Sequence, residues 1–286
     1  MQNRDLEKTA VDAAEHLIDL ALAEDLGETG DITTRAIFAK ENAKRGEAIV
    51  IAKSAGVVAG LKIFARVFAK VNALVQIDFS ASDKEEPGPK QEVVRLRGPL
   101  AAILTGERVA LNFLQRLSGI ATLTRKFVDA VAGTNTKILD TRKTTPGWRI
   151  LEKYAVQCGG GRNHRLGLHD MFLIKENHIA VAGGIAAAVQ QCREFSPQTD
   201  LEVEARTLAD VEECLRHDVK HIILDNMPIA EMQNAVKLVA GRAQLEASGN
   251  VSLENVAAIA ATGVDYISIG ALTHSAPAMD FSLLIV

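Results

Sequence analysis

Residues 200–226 read DLEVEARTLADVEECLRHDVKHIILDN. An apolar run, LEVE, leads into a helical segment over 207–217 and then into a second apolar run, IILD. That order predicts two parallel strands joined by a helix. Each run ends on a carboxylate, Glu204 and Asp225, so neighbouring strands carry acids at the same end.

The rhythm continues in both directions from about residue 137. KILDTRK, DMFLIKEN, AQLEASGN and DYISIGA are further apolar runs, separated by helical candidates at about 148–158, 179–194, 228–240 and 252–262. Six strands can be read and a seventh is suspected; the pattern predicts a parallel sheet covered by helices. Every run ends in polar groups: Asp140, Arg142 and Lys143; Lys175 and Glu176; Glu204; Asp225; Glu246 and Ser248; Ser268 and Gly270. A parallel α/β barrel gathers all strand C-termini on one rim, whereas an open doubly wound sheet gathers ligands only near its switch point. Six contributing strands favour the closed barrel.

The first half reads differently. Residues 5–26 place Leu6, Ala10, Ala13, Leu17, Leu20 and Ala21 at helical spacing. GEAIVIAKSAGVVAG, ALVQIDFS and EVVRLRG read as strands, LKIFARVFAK as a helix and SDKEEPGPKQ as an exposed turn, which together make an α+β domain.

The chain has 286 residues, 48% of them hydrophobic, enough for a substantial core. A formal charge of -4 excludes a global basic field for nucleic acid or anionic membrane. Cys158, Cys192 and Cys214 are odd in number and form no C-x-x-C pair, against a disulfide framework or structural zinc and in favour of a reducing cytoplasm. The N-terminal segment lacks the apolar core of a signal peptide, and HIAVAGGIAAAVQQC, broken by two glycines, falls short of a spanning helix. Phosphate-loop and dinucleotide fingerprints are absent.

Between Asp140 and His178 lie seven Lys or Arg against four acids, with His164, His169 and His178, inside an otherwise acidic chain. This concentration is either a solvated basic face or a pocket for a strongly anionic small molecule, since guanidinium forks match carboxylate and phosphate oxygens. Arg142, Lys143 and Lys175 directly follow strands, which favours the pocket. Asp140 is read as either a brace for Arg142 or Lys143 or a functional group. The glycines of CGGGRNHR (158–165) suit a helix stop, a phosphate nest or a hinge presenting His164 and Arg165. Glu204 and Asp225 suit Mg²⁺ or sugar hydroxyls, or else pair with lysines. Ser248-Gly249-Asn250 and Ser268-Ile269-Gly270-Ala271 end the last two strands, where barrels often bind phosphate. Arg108 lies on a polar helix stripe with no role legible from its spacing. Cys158 has no paired base, and His16, His217 and His221 sit in ordinary helical or strand-edge contexts.

ALAEDLGETGDITT, GERVALNFLQRLSGIAT, DTRKTTPG, KYAVQCGGGRNHRLGLHDMFLIKENHI, LEVE, ILDN, EASGN and SIGALTHS together resemble the quinolinate phosphoribosyltransferases, from about residue 21 to 275. The resemblance implies an N-terminal α/β sandwich domain (1–112, dimer-contacting) and an incomplete, seven-stranded α/β barrel (113–286), with the last strand placed to return to the first domain. It implies phosphoribosyl transfer from phosphoribosyl pyrophosphate to quinolinate with loss of CO₂, Mg²⁺ as cofactor, and a homodimer. Arg142, His164 and Arg165 would line the quinolinate site, with Thr141 beside them in DTRKTTPG. Lys143 and Lys175 would serve both anionic substrates, and with Glu204 and Asp225, near the ribose hydroxyls and Mg²⁺, would form the catalytic set. Residues 248–250 and 268–271 would cradle the 5′-phosphate, and Arg108 would reach into the partner's site. Two positions depart from the family pattern: Trp148, where relatives commonly carry Leu or Met, and Asn250, where Gly is frequent. The alternatives are a molybdate-operon paralogue acting on another anionic acid, disfavoured by the intact Arg142, His164 and Arg165, and a non-catalytic anion binder. The other phosphoribosyltransferase architecture pairs acids before its loop, where this chain has Asp140 alone.

Overall fold

A computed structural model describes residues 6–39 and 44–286. In chain order the elements are α1 (Leu6–Leu26), α2 (Ile32–Ile37), β1 (Arg45–Ala52), α3 (Leu61–Val71), β2 (Gln76–Phe79), β3 (Glu92–Pro99), α4 (Leu100–Ala130), β4 (Lys137–Leu139), α5 (Arg149–Cys158), β5 (Phe172–Ile174), α6 (Glu176–Ala182), α7 (Ile185–Phe195), β6 (Leu201–Ala205), α8 (Leu208–Arg216), β7 (His221–Asp225), α9 (Ile229–Val239), β8 (Gln244–Ser248), α10 (Val256–Ala260), β9 (Tyr266–Ser268), α11 (Ala271–His274) and β10 (Phe281–Ile285). They fall into two compact units. One comprises Met1–Arg125, Thr144–Gly160 and Leu272–Val286; the other comprises Lys126–Lys143 and Gly161–Ala271. The division is interleaved, with Thr144–Gly160 and Leu272–Val286 grouped with the N-terminal segment, and the first boundary falls within α4.

The first unit is built on an antiparallel sheet of order β10-β1-β3-β2. Alternation along β1 buries Ala48, Val50 and Ala52, and α3 buries Leu61, Ile63, Phe64, Val67 and Phe68 along one stripe. At roughly 1.5–3 kcal/mol for each large side chain buried, that stripe alone commits α3 to the core. Asp83 accepts from the N–H groups of Gly60 and Leu61 at 2.9 and 3.1 Å, capping α3 with a negative charge. The expected first strand stops at Ala52, short of GVVAG. Val57 and Ala59, both buried, instead donate their N–H groups to the hydroxyls of Thr122 and Ser118 on α4, so a non-strand segment stays satisfied. Trp148 stacks on Phe113 with ring centroids 4.7 Å apart, which gives that departure a packing partner. β10 pairs with β1 from Ala48↔Ile285 to Ala52↔Phe281, a strand absent from the periodicity reading.

The second unit holds six parallel strands in the order β4-β9-β8-β7-β6-β5, and all six coincide with the apolar runs read above. Arg162 adds one parallel bridge to Leu139, with its N–H donated to Ile138 O at 2.8 Å and its carbonyl accepting from Asp140 N–H at 3.1 Å. Chain order thus runs around a ring, with β4 beside β9. Among the described residues the ladders do not join Arg162 to β5, so the hydrogen-bonded order is open at that seam. The single helix expected over 179–194 is two, α6 and α7, because Gly183 and Gly184 adopt φ of 88° and 135°.

Register explains what each face carries. Val203↔Ile222↔Leu245 and Ala205↔Leu224↔Ala247↔Ile267 are apolar, buried and on one face. Alternation puts the intervening residues on the other face in three levels: Glu202 with His221; Glu204, Ile223 and Glu246; Asp225, Ser248 and Ser268. A sheet face that would normally be aliphatic is lined with ionisable groups.

Candidate active site

The lower two levels of that polar face contribute a charge cluster. Glu202 on β6 places Oε1 2.9 Å from His221 Nδ1 and Oε2 2.8 Å from His164 Nε2; Glu246 Oε2 on β8 is 3.2 Å from His221 Nε2 and 3.8 Å from His164 Nε2. Burial opposes the charge of Glu202, but the imidazoles of His164 and His221 outweigh it and hold the carboxyl down at about 2. Burial likewise opposes the charge of His221, and Glu202 and Glu246 outweigh it, pushing the ring up to about 9. His221 also stacks on Tyr266 at 5.5 Å. It was read from the sequence as an ordinary strand-edge histidine; the structure makes it the centre of a buried ion cluster.

The sign of the pH dependence follows. Glu202, depressed from 4.5, contributes stability above that value and loses it as pH falls toward 2; His221, raised from 6.5, contributes fully below 6.5 and loses it as pH rises through 9. The cluster is therefore most stabilising between those unfolded values, and about 3 kcal/mol should be lost on either limb, counted once because the groups share the interaction. Urea midpoints measured against pH should show the alkaline loss in the wild type and a flattened alkaline limb in His221→Gln. Equal slopes in both would refute the assignment.

Above the cluster, His164 donates its backbone N–H to Asp140 Oδ1 at 2.8 Å, and Asn163 Nδ2 donates to Asp140 Oδ2 at 2.6 Å. Asp140, fully buried, thus braces the segment 163–164. The glycine run resolves as a helix stop: Gly160 adopts φ 90° and donates to Gln157 O at 3.0 Å. Arg165 follows directly, 5% exposed, with Nη1 donating to Met171 O at 3.0 Å.

Arg142 and Arg165 are near enough for their charges to repel. Burial first, and then the guanidinium of Arg142, hold Arg165 below the ordinary arginine value, with Glu202 and Glu204 pulling the other way. The Nε atoms of both arginines are buried without a hydrogen-bond partner. Two like charges with unpaired buried donors form a site that demands an anion. Thr141 is half-buried beside them and accepts from Lys143 N–H at 3.0 Å; Lys143 is exposed.

Along the rim, Lys175 Nζ pairs with Glu204 Oε1, so the pairing of an acid with a lysine weighed from the sequence is realised. Asp225 Oδ1 accepts from Asn226 Nδ2 at 3.0 Å, and Asn226 Oδ1 accepts from Asn250 Nδ2 at 3.1 Å. Asn250 adopts φ 50°, so it occupies the left-handed conformation otherwise suited to glycine. Gly249 has φ 100°, and a Cβ there would lie 2.1 Å from Asn226 Oδ1. Ser248 accepts Asn226 N–H through its carbonyl at 2.8 Å. On the last strand Ser268 is buried and Ile269 N–H is donated to Leu139 O at 3.0 Å, and Gly270 leads directly into α11, which starts at Ala271.

His169 and His178 do not join the site: His169 is exposed against Asp170 at 3.1 Å, and His178 Nδ1 accepts Lys175 N–H at 3.0 Å as part of the α6 cap. Burial pushes the Cys158 thiol up to about 12, in keeping with an unreactive buried thiol. Arg108 is exposed on α4, in the other unit. No helix of the described residues is long and apolar enough to cross a membrane.

Comparison with known proteins bears on the whole chain. The profile for "Quinolinate phosphoribosyl transferase, N-terminal domain" matches residues 31–118 and that for its C-terminal domain matches residues 120–284. A tobacco (Nicotiana tabacum) quinolinate phosphoribosyltransferase (decarboxylating) 1b is 42% identical, over 94% of this chain and 81% of that protein. A probable nicotinate-nucleotide pyrophosphorylase (carboxylating) from Synechocystis is 45% identical over 93% and 90%. The nicotinate-nucleotide pyrophosphorylase structure from Francisella tularensis superposes with a TM-score of 0.95 at 38% identity, covering 100% of both chains. With both domain profiles matched in order, the chain belongs to the quinolinate phosphoribosyltransferase family.

Proposed function

We propose that the protein transfers the phosphoribosyl group of phosphoribosyl pyrophosphate to quinolinate, releasing pyrophosphate and CO₂ and giving nicotinate mononucleotide for NAD biosynthesis. The observation that carries this reading is the proximity of the Arg142 and Arg165 charges, each with an unpartnered buried Nε, beside a brace that fixes His164. A flat dianionic ring acid matches two guanidinium forks in charge and shape. The intact set Arg142, His164 and Arg165 also disfavours the molybdate-operon alternative.

In this reading Arg142, Arg165 and His164 orient the quinolinate so that its nitrogen faces C1 of the ribose. The nitrogen attacks C1 as pyrophosphate leaves, and Lys143 and Lys175 meet the charge on the departing oxygens. The ring 2-carboxylate then departs as CO₂, and the electron pair left at C2 is stabilised by the alkylated ring nitrogen and the surrounding cations before C2 is protonated. No side-chain nucleophile is required. Glu204 and Asp225 present hard carboxylate oxygens on one face of adjacent strands, a donor set that fits Mg²⁺ held largely through water, and the same oxygens suit the ribose hydroxyls. Bound Mg²⁺ would supply neutralisation of the pyrophosphate. Lys175 must then exchange its contact with Glu204 for substrate.

The loops at 248–250 and 268–271 form the 5′-phosphate cradle in this proposal. Gly249→Ala is expected to raise KM for phosphoribosyl pyrophosphate about tenfold, since strain of about 1–3 kcal/mol at a left-handed position adds to a collision with Asn226. The KM for quinolinate should barely move, and steady-state kinetics with each substrate varied checks both. We also propose a homodimer, which gives the exposed Arg108 a task at a neighbouring site. A cytoplasmic location suits the three free thiols. The decisive assay supplies quinolinate labelled at the 2-carboxyl, phosphoribosyl pyrophosphate and Mg²⁺. Labelled CO₂ and nicotinate mononucleotide should form one for one, and a protein that binds quinolinate but yields neither is a binder.

A further inference from the structure

We infer that Glu202, His221 and Glu246 are positioning residues that hold His164, and through it Arg165, in register for the quinolinate carboxylates. The inference rests on the proposed activity and extends it to three residues with no place in the substrate contacts above. Each comes from a different strand: Glu202 from β6, His221 from β7 and Glu246 from β8. Their side chains converge below the rim, with the two glutamates 3% and 1% exposed.

Burying two carboxylates and an imidazole is an expensive way to fill the interior of a sheet, and aliphatic side chains of similar volume serve stability at least as well. What the cluster adds is direction. His164 is gripped twice, by Glu202 at its ring Nε2 at 2.8 Å and by Asp140 at its backbone N–H, also 2.8 Å. With both ends fixed, the path of the chain into Arg165 is fixed, and Arg165 can stay close to the like charge of Arg142. Glu202 adds a second effect, because its charge favours the charged form of Arg165. His221 stands between Glu202 and Glu246, with Nδ1 2.9 Å from Glu202 Oε1 and Nε2 3.2 Å from Glu246 Oε2, and its contact with Glu246 is an ion pair rather than a hydrogen bond.

The grouping of His164, Glu202 and Glu246 also has the composition of a metal site. The His164–Glu202 approach of 2.8 Å is shorter than the roughly 3.3 Å edge of a tetrahedron built on metal–ligand bonds of about 2.0–2.1 Å, so ion pairing describes it better.

The test compares wild type, Glu202→Gln and the double variant Glu202→Gln/His221→Gln. The double variant removes one carboxylate together with the imidazole it faces, so it leaves less uncompensated buried charge than either single change. Circular dichroism establishes folding, calorimetry measures quinolinate binding, and steady-state kinetics gives KM for each substrate. Weakening of quinolinate binding and a rise in its KM by about tenfold to a hundredfold are expected, as for a misplacement near 1 Å, with KM for phosphoribosyl pyrophosphate changed less than about twofold. Equal shifts in both KM values, or none, would overturn the inference and leave the activity standing. Loss of the folded spectrum in both variants would also overturn it, since the cluster would then serve folding alone. A wild-type protein that fails to bind quinolinate would instead remove the proposed activity and this inference with it.

Discussion

Arg142→Ala should lower kcat/KM for quinolinate by about a thousandfold, a loss of roughly 4 kcal/mol of transition-state stabilisation, because a charge-assisted fork in a partly desolvated pocket is removed. Arg142→Lys should recover only part of this, since an ammonium is a point charge that cannot present two parallel donors. The same substitution should not destabilise the unliganded protein. Arg142 keeps a buried Nε without a partner and lowers the ease with which Arg165 stays charged, so its removal relieves repulsion. The melting temperature of Arg142→Ala should equal or exceed that of the wild type while catalysis collapses. A parallel loss of stability and activity would mean that Arg142 serves packing and that the anion pocket lies elsewhere. Sites that trade stability for binding in this way are where a folded chain holds charge it does not need for itself.

The legibility of this chain follows the range of its contacts. Six parallel strands could be read because each is a short apolar run closed by a polar residue, and the residues that close them do lie on one face. The buried cluster was legible only in part. Glu202 and Glu204 are two apart in LEVE, so alternation places both on the same side, yet only the terminal one was singled out. His221 opens its strand and carries no local mark; its role comes from Glu202 and Glu246, contributed by the strands on either side of it. Asp140 was read as either a brace for Arg142 or Lys143 or a functional group, and its carboxylate accepts from Asn163 and His164, more than twenty residues downstream. β10 did not stand out by periodicity, and only the resemblance placed a last strand back on the first domain; it takes its strand partners from β1. Asn226 escaped for a similar reason: its amide matters through the missing Cβ of Gly249, a relation visible only when the two strand ends stand side by side.

Arg108 is the hardest case for sequence and the sharpest for experiment. It is exposed on α4, between buried residues Gly106 and Val109, and nothing in its helix gives it a task. In the proposed dimer it completes the neighbouring subunit's site, so Arg108→Ala should lower turnover by about a hundredfold to a thousandfold, as for loss of a charge-assisted contact to an anion. The dimer itself should persist. Arg142→Ala destroys the site in which it sits. When the two inactive variants are mixed and allowed to exchange, a mixed dimer carries one site with both lesions and one with neither. With random exchange of equal amounts, half the dimers are mixed, so about a quarter of wild-type activity should return. If Arg108 acted within its own subunit, each site of the mixed dimer would keep one lesion and no activity would return. Native mass spectrometry reports the exchange independently, so an inactive mixture with mixed dimers present would rule out a site shared between subunits, whereas recovery near the quarter would require it.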